Sequence, residues 1–165
     1  MVSEKMLTQD EANILIGLPK VKKYDDIYAF PSPGDTLMVP VISQNGLENF
    51  LIDINRGRIQ ITKCTYQERH QERTILLRLD IDGPPHHNPY VETLPLPDLE
   101  PYNGRIIPCP HVHLYVEGFM DKWAIPAPTD KFPNTIDLFK TIEDFLDYCN
   151  VIDKPKFWRE SLNGF

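Results

Sequence analysis

Glycine is sparse in this chain, at eight of 165 residues. A phosphate-cradling loop of the P-loop or dinucleotide type needs several glycines close together. Neither GxxxxGK followed by Ser or Thr nor GxGxxG occurs, and GxSxG and HExxH are also missing. Nucleoside-triphosphate hydrolysis, Rossmann cofactors and serine-hydrolase chemistry are therefore not expected. The three cysteines, Cys64, Cys109 and Cys149, are far apart and form no CxxC pair. That spacing argues against a zinc ribbon or a disulfide scaffold. No segment approaches the roughly 18 apolar residues of a membrane span. The start, Met1 to Lys5, is polar and does not read as a signal peptide, so a cytoplasmic location is expected. Positive charge is in deficit too: 17 basic against 24 acidic residues leave a net charge of −7. Broad, non-specific nucleic-acid binding is disfavoured by that balance. A local basic groove is not, since Arg56, Arg58, Lys63, Arg69 and Arg73 lie close in sequence.

What is present reads as one domain over residues 1–165, of α+β class. Thr8-Gln9-Asp10-Glu11 is a capping box that opens a short helix ending before Pro19. Tyr24 to Gly46, interrupted by Pro31, Pro33 and Pro40, reads as one or two edge strands with loops. Phe50, Ile52 and Ile54 alternate with Leu51, Asp53 and Asn55; a turn at Asn55-Arg56-Gly57-Arg58 follows, with Ile59 and Ile61 resuming the alternation. Thr74 to Asp82 is another strand, Ile75, Leu77, Leu79 and Ile81 facing the core. The strongest helical pattern begins near Asn134 or Thr135. It places Ile136, Phe139, Ile142, Phe145, Leu146 and Cys149 on one side. These elements predict an antiparallel sheet of about five or six strands, with the C-terminal helix on one face. The aromatic pair Phe157-Trp158 is expected to dock rather than dangle.

Half of the 16 prolines fall between Gly83 and Pro110. Proline fixes φ and removes a donor, so this stretch, residues 84–110, reads as a long loop. It leads into Pro110-His111-Val112-His113-Leu114-Tyr115-Val116. Successive strand side chains point to opposite faces, so His111, His113 and Tyr115 line up about 7 Å apart, opposite Val112, Leu114 and Val116. A partner strand from Asp121 to Ile125 follows a turn at Glu117 to Met120.

The block Leu76-Leu77-Arg78-Leu79-Asp80-Ile81-Asp82-Gly83-Pro84-Pro85-His86 and the block Pro110-His111-Val112-His113-Leu114-Tyr115, followed by Asp121-Lys122-Trp123-Ala124, resemble a bacterial family known only as a domain of unknown function. Lys63 to Arg69 and Asp144 to Asn150 fit the same pattern, and the likeness covers roughly residues 47–152. It implies a setting among mobile-element or toxin–antitoxin-like loci, prophage included, and supplies no mechanism. One departure is the turn after His86. The resemblance leads one to expect a longer Asn-Pro-Asp-Gly turn, where this chain reads His87-Asn88-Pro89-Tyr90 and then the proline-rich insert.

Three chemistries suit these residues. His111 and His113, joined by Asp80 and Asp82 from a neighbouring strand, would make a nitrogen–oxygen site for a divalent metal. Alternatively, His111, His113, Tyr115 and His86 would move protons while Arg78 holds phosphate, as an RNase-like toxin or phosphodiesterase requires. Lys63, Tyr66 or Arg69 would stand near the end of that face. The third is a binding protein. Tyr90, Val91, Leu94, Leu96, Leu99 and Tyr102, held extended among prolines, would dock on a macromolecular partner, as in an antitoxin, immunity or defence-related protein. The sequence alone favours this binding role, with the RNase-like enzyme as the alternative. Against all three stands a purely structural network in which the histidines bond to Asp80, Asp82 or backbone.

Overall fold

The computed structural model describes residues 6–159, so the polar start of the chain lies outside the described residues. The capping box forms as expected. Thr8 accepts from the Glu11 backbone and Glu11 reaches back to Thr8, opening α1 (Gln9–Gly17). Then follow β1 (Lys20–Lys22), β2 (Ile27–Ala29), β3 (Thr36–Ser43), β4 (Asn49–Arg56), β5 (Cys64–His70) and β6 (Thr74–Asp80). The proline-rich stretch holds only the short β7 (His86–His87), a 3-10 turn (Pro97–Tyr102) and β8 (Ile106–Ile107). After it come β9 (His111–Val116), β10 (Met120–Pro126), α2 (Leu138–Tyr148), β11 (Val151–Asp153) and β12 (Lys156–Trp158).

Eight strands form one sheet in the order β10-β9-β6-β5-β4-β3-β1-β11, antiparallel except for the parallel β1–β11 pair. The sheet is thus larger than the expected five or six strands, for identifiable reasons. The strand pairing with β4 is β5, and it starts at Cys64 rather than at Ile59. Ile59 is 98% exposed on a loop, and Ile61 is exposed beside it. The inward positions of β5 are Cys64, Tyr66, Glu68 and His70, a pattern that the two polar members disguise. β3 is an interior strand in spite of Pro40. Its Pro40 carbonyl accepts from Lys23, one residue past the end of β1, so no ladder donor is required of the proline. α2 begins at Leu138, later than the periodicity suggested. Asp137 caps it by accepting from the Lys140 backbone, and Ile136 lies outside, 93% exposed. Phe157 docks as expected: β12 pairs with β2 and the Phe157 ring meets Tyr28.

Both helices cover one face of the sheet. Ala12 and Leu15 of α1 and Ile142, Phe145 and Leu146 of α2 share a core with Ile52, Ile54, Tyr66, Leu77, Leu79 and Val112. Their C-terminal ends converge on one buried cation. The Lys20 ammonium donates to the Ile16 carbonyl at 2.9 Å and to the Cys149 carbonyl at 2.7 Å. A cation there answers the orphan carbonyls and the negative dipole end of both helices. Its counter-charge is Glu68, 3.4 Å away and equally buried. Burial pushes the Glu68 carboxyl up to about 7, with Lys20 pulling the other way.

A pH prediction follows from this pair. Folded Glu68 keeps its proton to about pH 7, whereas an unfolded glutamate releases it near 4.5. Between those values the folded state holds the extra proton, so its contribution to stability falls as pH rises. Urea-unfolding midpoints measured from about pH 5 to about pH 8 should therefore fall less for Glu68→Gln than for wild type. Parallel pH profiles would contradict the assignment.

Candidate functional site

The face opposite the helices is built by strand register. Arg78 pairs with His113 and Asp80 with His111 across β6 and β9. Gln67 and Thr65 of β5 stand opposite Arg78 and Asp80, and Asp53 and Asn55 of β4 stand opposite those two in turn. Directly paired residues share a face. Two polar rows therefore cross the sheet, Asn55-Thr65-Asp80-His111 and Asp53-Gln67-Arg78-His113.

The rows end in a tight cluster. Arg78 clasps Asp80 with Nε on Oδ1 at 3.0 Å and Nη2 on Oδ2 at 3.2 Å, while Nη1 donates to Asp121 Oδ2 at 3.0 Å. His111 Nε2 lies 3.1 Å and His113 Nε2 3.3 Å from the same Asp80 Oδ2. Both rings are buried, at 1% and 2% exposure. His86 folds over from the proline-rich stretch to lay its ring against His113, with centroids 4.5 Å apart.

Hydrogen bonding assigns the tautomers. His111 Nδ1 faces the Ile107 carbonyl at 3.0 Å, and His113 Nδ1 faces the Asp121 carbonyl at 2.8 Å. A carbonyl only accepts, so each Nδ1 carries its proton and each Nε2 is turned toward Asp80. Arg78 has only donors, and its Nη2 sits 2.8 Å from His113 Nε2, which makes His113 an acceptor and neutral. His111 Nε2 and Asp80 Oδ2 face each other with no such donor between them, so a proton or another cation must sit on that contact. Burial alone pushes the Asp80 carboxyl up, but the hydrogen bonds it takes from His111 and Arg78, together with the Arg78 charge, outweigh that and hold it far below the usual carboxylate range. For His86, desolvation lowers the pKa, opposed by the Lys122 carbonyl that its Nε2 meets at 2.7 Å and reinforced by the Arg78 charge nearby.

The structure thus brings together Arg78, Asp80, His86, His111 and His113 of the residues expected from sequence. Asp80, His111 and His113 each bring a ligand atom within 4.8 Å of the other two. Tyr115 is not with them. It lies past Leu114, where the pairing with β6 ends, and its hydroxyl donates to the Leu7 carbonyl from within the main core. Asp82 is also apart, accepting from Thr62 and Gln60. Tyr66 points into the core and bonds the Leu138 carbonyl, and Arg69 pairs with Asp53. Nor is Arg78 free for phosphate, because two carboxylates hold its guanidinium. Asp121 is the member that sequence reasoning passed over. It follows a turn, where the β9–β10 register slips between Met120 and Trp123.

In front of the cluster is a cleft of about 330 Å³, walled by Arg78, Asp80, Lys63, Asn55, Thr65, Gln67, Asp82, Gly83, Pro84 and Cys109. Beyond His86 the proline-rich stretch closes the β10 edge. The Asn88 carboxamide both accepts from and donates to the Ala124 backbone, at 2.8 Å each way. Leu99 is buried with Val116 and Trp123, and Val91, Leu94 and Leu96 pack against them. Most of the apolar residues expected to dock on a partner are therefore spent on this second, smaller core.

Fold and cluster together define a class: an α+β protein with helices on one sheet face and a half-buried His–Asp–Arg network at the head of a polar cleft on the other. More particularly, the chain belongs to a family of unknown function, DUF6978, whose model matches residues 7–151. No curated protein and no solved structure matches it.

Removing the shared cation tests the network. Arg78→Met leaves Asp80 and Asp121 without their counter-charge, and since all three are partly solvated the expected loss is about 2 kcal/mol in urea unfolding. Adding Asp121→Asn should restore part of it. A neutral Arg78→Met would mean that solvent alone satisfies both carboxylates.

Proposed function

We propose that Asp80, His111 and His113 form a divalent transition-metal centre and that the cleft in front of it hydrolyses phosphodiesters, as an RNase-like enzyme of a toxin–antitoxin-like or defence-related system in the prokaryotic or phage cytoplasm. One observation carries this reading: two buried imidazoles, each with Nδ1 anchored on a backbone carbonyl, aim Nε2 at one carboxylate oxygen. Anchoring the far nitrogen on backbone is the outer-shell arrangement that orients metal-ligating histidines. Two nitrogens and one oxygen suit zinc, iron or manganese better than magnesium or calcium. Arg78 need release only its Nη2 contacts, because Nε can stay on Asp80 Oδ1 and Nη1 on Asp121. A metal held there supplies an activated water and polarises a phosphoryl oxygen. His86, the half-buried histidine of the group, is the one exposed enough to exchange a proton with a bound ligand.

A second reading keeps the chain as a binding protein for a macromolecular partner. What supports it is that Tyr90 and Ile106 of the proline-rich stretch stay exposed after its other apolar residues are packed.

Thermal unfolding with added zinc or manganese tests the metal. Saturation at a hundredfold excess over Kd adds about 2.7 kcal/mol to wild type. Asp80→Asn and the double variant His111→Ala/His113→Ala should lose that shift. In cells, induced wild type should arrest growth with loss of RNA integrity, and Asp80→Asn should do neither. Equal metal response in all three proteins overturns the centre; growth and intact RNA under wild type favour the binding protein.

A further inference from the structure

We infer that the cleft is one end of a longer groove that seats the sugar–phosphate backbone of single-stranded RNA, with Lys63 and Arg58 as its phosphate contacts. This deepens the hydrolytic reading and rests on it for the choice of RNA.

Next to the 330 Å³ cleft lies a second cavity of about 550 Å³ along the Arg56–Lys63 loop. The two share Asn55, Lys63 and Thr65 in their walls and so adjoin along this edge of the face. Charge is divided along it. Asp80 and Asp82 stand at the cluster end, where a cation belongs, whereas residues 54–67 contain three basic residues and no Asp or Glu in a chain of net charge −7. Arg56 is committed to the Pro31 and Ile61 carbonyls. Arg58 and Lys63 have no ion-pair partner among the described residues.

Both free cations are placed by glycines. A Cβ on Gly57 would stand 2.9 Å from Lys63 Cβ and 2.5 Å from the Gln60 carbonyl, so only glycine lets the loop bring Lys63 in this close. A Cβ on Gly34, whose φ is +86°, would stand 3.0 Å from Arg58 Nε. On the floor, the Asn55 and Thr65 side chains make no hydrogen bond among the described residues. They are free to meet sugar hydroxyls, the group that separates RNA from DNA. No aromatic ring lines either cavity, so there is no platform for stacking bases. Recognition through backbone alone is insensitive to base sequence and sensitive to salt.

The test is fluorescence anisotropy of the full chain with a labelled oligouridine of about ten nucleotides, long enough to span single-strand site sizes. It is run in chelator, so that binding is read without metal or cleavage. Two phosphate contacts predict a slope of about −1.4 in log K against log salt. The double variant Arg58→Glu/Lys63→Glu should lose at least about tenfold in affinity and flatten that slope. Oligocytidine should bind like oligouridine, and oligodeoxythymidine more weakly. Unchanged affinity in the double variant, or equal affinity for the DNA, overturns the inference. The two readings fail separately. Loss of RNA affinity in the double variant, with no metal-induced thermal shift in wild type, keeps the groove and removes the metal centre. A metal shift with RNA binding indifferent to Arg58 and Lys63 does the reverse.

Discussion

Strand β6 is paired on both sides, by β5 and β9, and the whole arrangement depends on how its two faces are resolved. With a two-residue period, Leu77 and Leu79 must enter the helix-covered core if Arg78 and Asp80 are to face the cleft. A slip of one residue would bury the ion pair under the helices and expose the leucines. The neighbours obey the same register: Val112 and Leu114 pair with Leu79 and Leu77 while His111 and His113 meet Asp80 and Arg78. Core packing and site assembly are thus one constraint, and the hydrophobic gain that sets the register also brings His111, His113 and Asp80 together.

Charge is buried on both faces, under different terms. On the helix face Lys20 joins the C-terminal ends of α1 and α2 to Glu68 of β5, wholly out of water. Desolvation there is large, and the pair persists because two carbonyls complete the lysine's hydrogen bonding. On the cleft face Arg78 spans Asp80 and Asp121, which remain partly solvated and so able to rearrange around a ligand. One network is suited to holding the fold, the other to exchanging partners.

Much of the cleft face was legible in sequence because alternation is strict there: Arg78 and Asp80 on one strand, His111 and His113 on the next. The reading failed where periodicity is broken or disguised. β5 hides behind Glu68 and His70, whose burial depends on Lys20 and Glu48, partners that come from elsewhere in the chain. Tyr115 left the predicted row past the end of the pairing with β6, where the β9–β10 ladder also slips. Asp121 enters the site through that same irregularity. His86 required a tertiary contact across the proline-rich stretch, which sequence could only allow.

Asp80, His111 and His113 are proposed to hold a metal ion, where a structural network would hold only protons. Crystals grown with zinc and measured at its absorption edge distinguish the two directly. A metal centre gives an anomalous peak bonded to His111 Nε2, His113 Nε2 and Asp80 Oδ2, with Arg78 Nη2 withdrawn from His113. Density with no peak there, and Arg78 still on His113, would contradict it.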